Sequence, residues 1–217
     1  MEREAYAIAA MVEKMGSRRL DPAPIWTDVR TFDGRPWGPV VDTLVAGYPC
    51  QPFSAAGRRV GEADPRHLWP EVRRIISETN PSLCVFENVS AHLHCGGDRV
   101  LRDLQDMGYR TAADLHTASE VGAPHRRERL FIVAANSDGL RKLQPEGCFS
   151  YERGRAGHCG AQRNPWVAEP TVGRVADGVA NRVDRMRLLG NGVVPAQAGA
   201  AIVTCLEALL EEHVVDE

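Results

Sequence analysis

Four residues of this 217-residue chain are of types that could do chemistry together: the thiol of Cys50, the carboxyl of Glu87 and the guanidinium groups of Arg127 and Arg129. A thiolate is a soft nucleophile. A free Cys is mostly protonated near pH 7, however, so Cys50 needs nearby positive charge or backbone donors to lower its pKa. A carboxyl at a buried strand end has its pKa raised by desolvation, and could hydrogen-bond or protonate a ring nitrogen. Such a set can add to an electron-poor ring. Each residue also has a plainer reading. Cys50 could be a small core hydrophobe and Glu87 could ion-pair with an Arg of the same edge, just as Asp28, a further carboxylate ahead of them in the chain, could cap a turn. Arg127 and Arg129 alternate and face one side of an extended chain, where they could be a solvated strand entry. For Cys50, the flanking Gly47, Pro49, Gln51, Pro52 and Ser54 favour a working nucleophile on a stiff loop.

The elements that must position these groups follow from hydrophobic spacing. Residues 40–46 read as a short buried strand, and Gly47 with Pro49 turns the chain out of it, presenting Cys50 at the strand's carboxyl end. Residues 68–78 read as a helix with Leu68, Val72, Ile75 and Ile76 on one face, stopped by Asn80 and Pro81. Residues 83–86 read as a second buried strand that runs into Glu87, Asn88 and Val89. Two strands separated by a helix predict a parallel βαβ unit, which places Glu87 at the same edge as Cys50. Further helices are predicted over 2–15, over 100–107 and onward from Pro195, and strands over 110–115, over 130–135 and, short, over 25–29. Residues 54–67 are polar and irregular, long enough for a mobile flap. From 136 to about 185, Gly and Pro break any periodicity, and a loop or small irregular subdomain is expected. Three regions result: 1–136, 137–183 and 184–217.

Composition narrows the class. The chain is long enough for one good core, and 43% hydrophobic with 25% charged residues is ordinary for a soluble globular protein. No run approaches the roughly 18 apolar residues of a membrane helix, and the first residues lack a secretory layout, so a cytoplasmic protein is expected. Six cysteines without paired CxxC spacing read as reduced thiols, and Cys148, His158 and Cys159 fit no common zinc motif, so no metal is expected. The net charge of −3 does not advertise a nucleic-acid binder. Lys occurs only at Lys14 and Lys142, however, and Arg otherwise carries the positive charge.

Four stretches have a recognisable order: PCQPFS at 49–54, ENV at 87–89, HRRERLFIVA at 125–134 and GNGVVPAQA at 190–198. In this order they resemble the conserved blocks of the C5-cytosine DNA methyltransferases. The resemblance implies an α/β, Rossmann-like S-adenosylmethionine-dependent methyltransferase fold and methyl transfer to C5 of cytosine in double-stranded DNA. It implies that Cys50 attacks C6 of a flipped-out cytosine, that Glu87 contacts N3 and the exocyclic amine, that Arg129 steadies the base carbonyl and that Arg127 supports the catalytic loop. Gln51 and Ser54 match loop positions that approach the DNA, and Arg58 and Arg59 match a loop that closes over it. For S-adenosylmethionine, Glu2 resembles the residue that accepts the ribose hydroxyls and Asp28 with Val29 the adenine-contacting pair. Pro49, Leu68, Asn191 and Val193 match positions around the methionine part. A monomer is implied, with a cognate restriction endonuclease as a further partner.

The sequence departs from that pattern at its start. The family opens with a first strand and a Gly-rich FxGxG cofactor loop, and roughly 30 residues of that framework are expected but not found. An N-terminally truncated fold is therefore expected, from a late start or a fragment, and only about 137–182 is available as a small irregular target-recognition insert. His125 stands where the family has Gln. A rival reading is a catalytically inactive DNA- or partner-binding fragment lacking the cofactor loop. A hydrolase using Cys50 is disfavoured because no motif places a His to activate the thiol.

Overall fold

The computed structural model describes residues 1–49, 68–143 and 191–215. Cys50, Gln51, Ser54, Arg58, Arg59 and most of the expected recognition insert lie outside the described residues. The chain divides into two compact units, Met1–Asp33 with Glu169–Val193, and Gly34–Ala168 with Val194–Glu217.

The first unit contains helix α1 (Ala5–Gly16), as its spacing predicts. The short strand expected over 25–29 does not form. Pro22 and Pro24 remove donors there, the amide of Glu2 bonds to the carbonyl of Trp26, and the Asp28 side chain accepts from the Arg30 amide at 3.0 Å. Asp28 thus caps a 3₁₀ turn over Val29–Thr31, which competes locally with an extended chain.

The second unit is an α/β structure around four strands: β1 (Thr43–Ala46), β2 (Leu83–Val89), β3 (Arg110–Thr117) and β4 (Glu128–Ala135). The sheet order is β1-β2-β4-β3. Strands β1 and β2 are parallel, with Ala46 opposite Phe86, and helix α2 (Trp69–Thr79) lies between them in sequence, so the βαβ reading holds. Strand β4 runs antiparallel to both its neighbours. Its residues from Leu130 to Ala135 are all buried, which explains the most apolar run in the chain: a central strand is covered on both faces.

Period-2 alternation divides the core. Cys84, Phe86, Leu130, Ile132 and Ala134 pack with Val72, Ile76, Val100 and Leu104 of α2 and α3 (Gly97–Asp106). Val85, Val133 and Ala135 pack with Leu140 of α4 (Ser137–Leu143) and with Cys205 and Leu209 of α5 (Pro195–Val215). Asn80, left-handed at φ 44, ends α2 where the sequence predicts a stop. No helix among the described residues is long and apolar enough to cross a membrane.

Two expectations fail here. Residues 40–46 are not a buried strand: Val40 and Val45 are 71% and 73% exposed. Among the described residues β1 pairs with β2 alone, and the amides of Val40 and Val41 both turn back to the Trp37 carbonyl. β-branched residues suit a pleated edge as well as a core, so the run predicted the strand but not its burial. Residues 137–143, read as irregular, are helical. Asn136 Oδ1 accepts from the Gly139 amide at 2.9 Å, Asp138 pairs with Arg141 at 2.7 Å, and Gly139 sits so close to Ser82 that a Cβ would overlap its carbonyl oxygen.

Replacing Gly139 with Ala is therefore expected to destabilise the fold by about 2 kcal/mol. Gly199→Ala on α5, where a Cβ meets nothing within 4 Å, is expected to be neutral or stabilising by up to about 1 kcal/mol. Chemical denaturation of the two variants checks the contrast.

Candidate active site

Just beyond the Ala46–Phe86 pairing, the chain reaches Gly47, Tyr48 and Pro49, and each is placed by the second unit. Tyr48 is buried, with its ring centroid 5.5 Å from Trp69 and 6.2 Å from Phe86. Its hydroxyl is 3.0 Å from Nε2 of buried His92, and its carbonyl accepts from Nδ2 of buried Asn88 at 3.1 Å. Packing and two polar contacts thus hold the backbone up to the residue before Pro49. Asn88 acts here as a backbone clamp, which its place in ENV leaves room for. Tyr48 and His92 were not singled out by their sequence positions, although two aromatic residues flanking two predicted strand ends are a usable signal.

Glu87 follows on β2, on the face it shares with Leu83 and Val85. Arg129 stands opposite Val89 on antiparallel β4, diagonal to Glu87 and within reach of a long side chain. Its Nε lies 3.1 Å from Glu87 Oε1, with both side chains about one-fifth exposed. The ion pair that Glu87 was expected to form if it had no chemical role is therefore present. It leaves Oε2 beside Gly47, where a Cβ would stand 3.6 Å away. Burial pushes the Glu87 carboxyl above its ordinary value, and the positive charges of Arg129 and Arg127 only partly offset that.

Arg127 does not reach this cluster by simple alternation. Strand β4 begins at Glu128, and Arg127 itself has φ +26, a conformation that costs a residue with a Cβ on the order of 1 kcal/mol or more. Burial lowers its guanidinium pKa, as does the like charge of Arg129, while Glu87 raises it. The turn is braced by the amide of Ala118, which donates to the Arg126 carbonyl at 2.8 Å and the Arg127 carbonyl at 3.3 Å. Ala118 opens a 3₁₀ turn fixed by a capping box between Thr117 and Glu120. Gln197, 1% exposed on α5, donates Nε2 to the carbonyls of His116 and Arg127 at 2.6 and 2.8 Å. Its importance was missed inside GNGVVPAQA. The signal is an amide in register with Ala201, Cys205 and Leu209, all buried at four-residue spacing.

The remaining predicted residues are distributed as follows. Pro49 is exposed, and Leu68 is half-buried and precedes α2. In the first unit, Glu2 Oε1 accepts the amides of Arg3 and Glu4 at 2.7 and 2.8 Å, Asp28 and Val29 are half-buried, and Asn191 and Val193 are exposed. Cys84 and Cys205 are buried thiols pushed up to about 12 by desolvation, which suits packing and not nucleophilic attack.

The chain is similar to the Type II methyltransferase M.PspPI of Psychrobacter sp., 32% identical over 67% of this chain and 35% of that protein. It is also similar to M1.ScrFI of Lactococcus lactis subsp. cremoris, 34% identical over 56% and 35%, and to M.NgoMIV of Neisseria gonorrhoeae, 31% identical over 64% and 47%. The chain thus spans 35 to 47% of the length of these curated relatives. Among solved structures, the methyltransferase EhMeth of Entamoeba histolytica matches at 16% identity over 62% of this chain and 44% of that one, with a TM-score of 0.48. The family model described as C-5 cytosine-specific DNA methylase matches residues 18–166, more than half of the sequence, and the chain belongs to that family.

Proposed function

We propose that this chain carries the reacting residues of a DNA (cytosine-5-)-methyltransferase, which moves a methyl group from S-adenosylmethionine to C5 of a cytosine flipped out of double-stranded DNA. The observation that carries the reading is the Glu87–Arg129 pair, half-buried beside the clamped Gly47-Tyr48-Pro49 run that leads directly into Cys50.

The Cys50 thiolate forms a bond to C6, and the displaced ring electrons move toward N3 and the carbonyl oxygen. Glu87, with its raised pKa, donates to N3 and accepts from the exocyclic amine, while Arg129 stabilises charge on the carbonyl. Arg127 adds positive charge and shapes the turn before β4. C5 thereby becomes nucleophilic. S-adenosylmethionine, when bound, supplies an electrophilic methyl group; loss of the C5 proton and of the C6–S bond then restores the aromatic ring.

Glu2 is assigned to the cofactor's ribose, and the amides of Arg3 and Glu4 hold its Oε1 in place. Asp28, ordered by its turn, and Val29 are assigned to the adenine. Pro49, Leu68, Asn191 and Val193 are assigned to the methionine part. Gln51, Ser54, Arg58 and Arg59 are assigned to DNA, where Arg suits phosphate forks. A cognate restriction endonuclease fits the Type II names of the relatives.

Incubation with a duplex carrying 5-fluorocytosine and with S-adenosylmethionine is expected to give a covalent protein–DNA adduct, lost completely in Cys50→Ser. DNA binding with no adduct and no cofactor binding would instead favour a binding fragment.

A second expectation concerns pH. Because Glu87 is raised in the folded protein, the folded state holds its proton longer than the unfolded state does. Stability therefore falls as pH rises from the ordinary Glu value of about 4.3 through the folded value. Glu87→Gln should flatten that fall in melting temperature, and an unchanged pH profile would contradict the assigned burial.

A further inference from the structure

The helix α5 buries a stripe at 197, 201, 205 and 209, and Ala201, Cys205 and Leu209 fill it with apolar groups. Gln197 does not. An apolar side chain would satisfy burial there, yet the position holds a side-chain amide, and burying an amide is tolerated only with its hydrogen bonds made. Nε2 has two protons, and each has a carbonyl: His116 O at 2.6 Å and Arg127 O at 2.8 Å. The first carbonyl belongs to β3 opposite Arg129, and the second to the residue whose φ of +26 breaks the approach to β4. One amide thus ties α5, the end of β3 and the irregular residue ahead of β4 at a single point.

That point is two residues from Arg129, whose Nε meets Glu87. Arg127 lies outside β4, in the turn that Gln197 holds, and its charge acts on both Glu87 and Arg129. Ala118 contributes a second donor to the same carbonyl, at a longer 3.3 Å. Two donors on the carbonyl of a conformationally disfavoured residue are the arrangement expected where surrounding structure must over-determine the backbone.

We propose that Gln197 is a positioning residue: by holding the Arg127 carbonyl it fixes the turn that brings the Arg127 guanidinium to the Glu87–Arg129 pair, which the strands set by register. The inference rests on the reading of that cluster as the base-holding site. Its test needs neither DNA nor cofactor, so a failure of methyl transfer and a failure of this proposal are separately visible.

The experiment follows the Glu87 carboxyl by carbon-13 NMR in the full chain, with Glu87→Gln to assign the signal. Gln197→Met keeps length and burial but removes the donors, and Gln197→Leu serves as a second apolar replacement. If Gln197 positions Arg127, the Glu87 titration midpoint moves upward in these variants, because positive charge that favours the carboxylate is released, while thermal unfolding stays cooperative. A lowered melting temperature with an unmoved Glu87 midpoint would overturn the proposal. So would two variants that both fail to fold, because the bonds would then be holding the core and not the turn.

Discussion

The second unit is arranged around one electrostatic constraint: a carboxyl and two guanidinium groups share a half-buried corner of a sheet. Burial pushes the Glu87 carboxyl up and the Arg127 guanidinium down. Together they compensate, but incompletely, since burial still outweighs the positive charges around Glu87. Groups whose pKa burial and specific charge partners perturb in this way are common at sites that do acid–base chemistry.

Holding such a corner requires rigid backbone on every side, and the fold supplies it by different means. Strand β4 is buried on both faces and sets Arg129 by register with Val89 and His116. Tyr48 is fixed by ring packing and by Asn88. The segment ahead of β4 has no ladder to define it, so a capping box at Thr117, the Ala118 amide and Gln197 hold it instead. Glu87 and Arg129 lie on strands, while Tyr48 and Arg127 lie on the segments that those strands stiffen.

Much of this was legible in the sequence. Helix α2, its stop at Asn80, strands β2 and β4 and the helix from Pro195 follow from periodicity and turn residues that agree with their tertiary surroundings. The edge placing Glu87 beside the strand before Cys50 follows from the βαβ order. What failed depended on partners that no local pattern records. The exposure of Val45 reflects which strands flank β1. The strand expected over 25–29 gave way to the turn that Asp28 caps, which is that residue's plainer reading. The helix over Ser137–Leu143 depends on Asn136 and on close approach to Ser82. The alternation of Arg127 and Arg129 suggested the right neighbourhood for the wrong reason, because Arg127 is not in the strand. Gln197 could have been found by asking why a buried stripe contains an amide.

The central claim is that Glu87, held by Arg129 and charged by its burial with a reluctance to ionise, activates the base that Cys50 attacks. The most direct measurement is the rate of Cys50 adduct formation with a 5-fluorocytosine duplex in Glu87→Gln against the parent chain, at saturating S-adenosylmethionine and equal DNA occupancy. The account predicts a fall of about 10²-fold or more, the ordinary contribution of a positioned proton donor. An adduct rate unchanged by the substitution would contradict it.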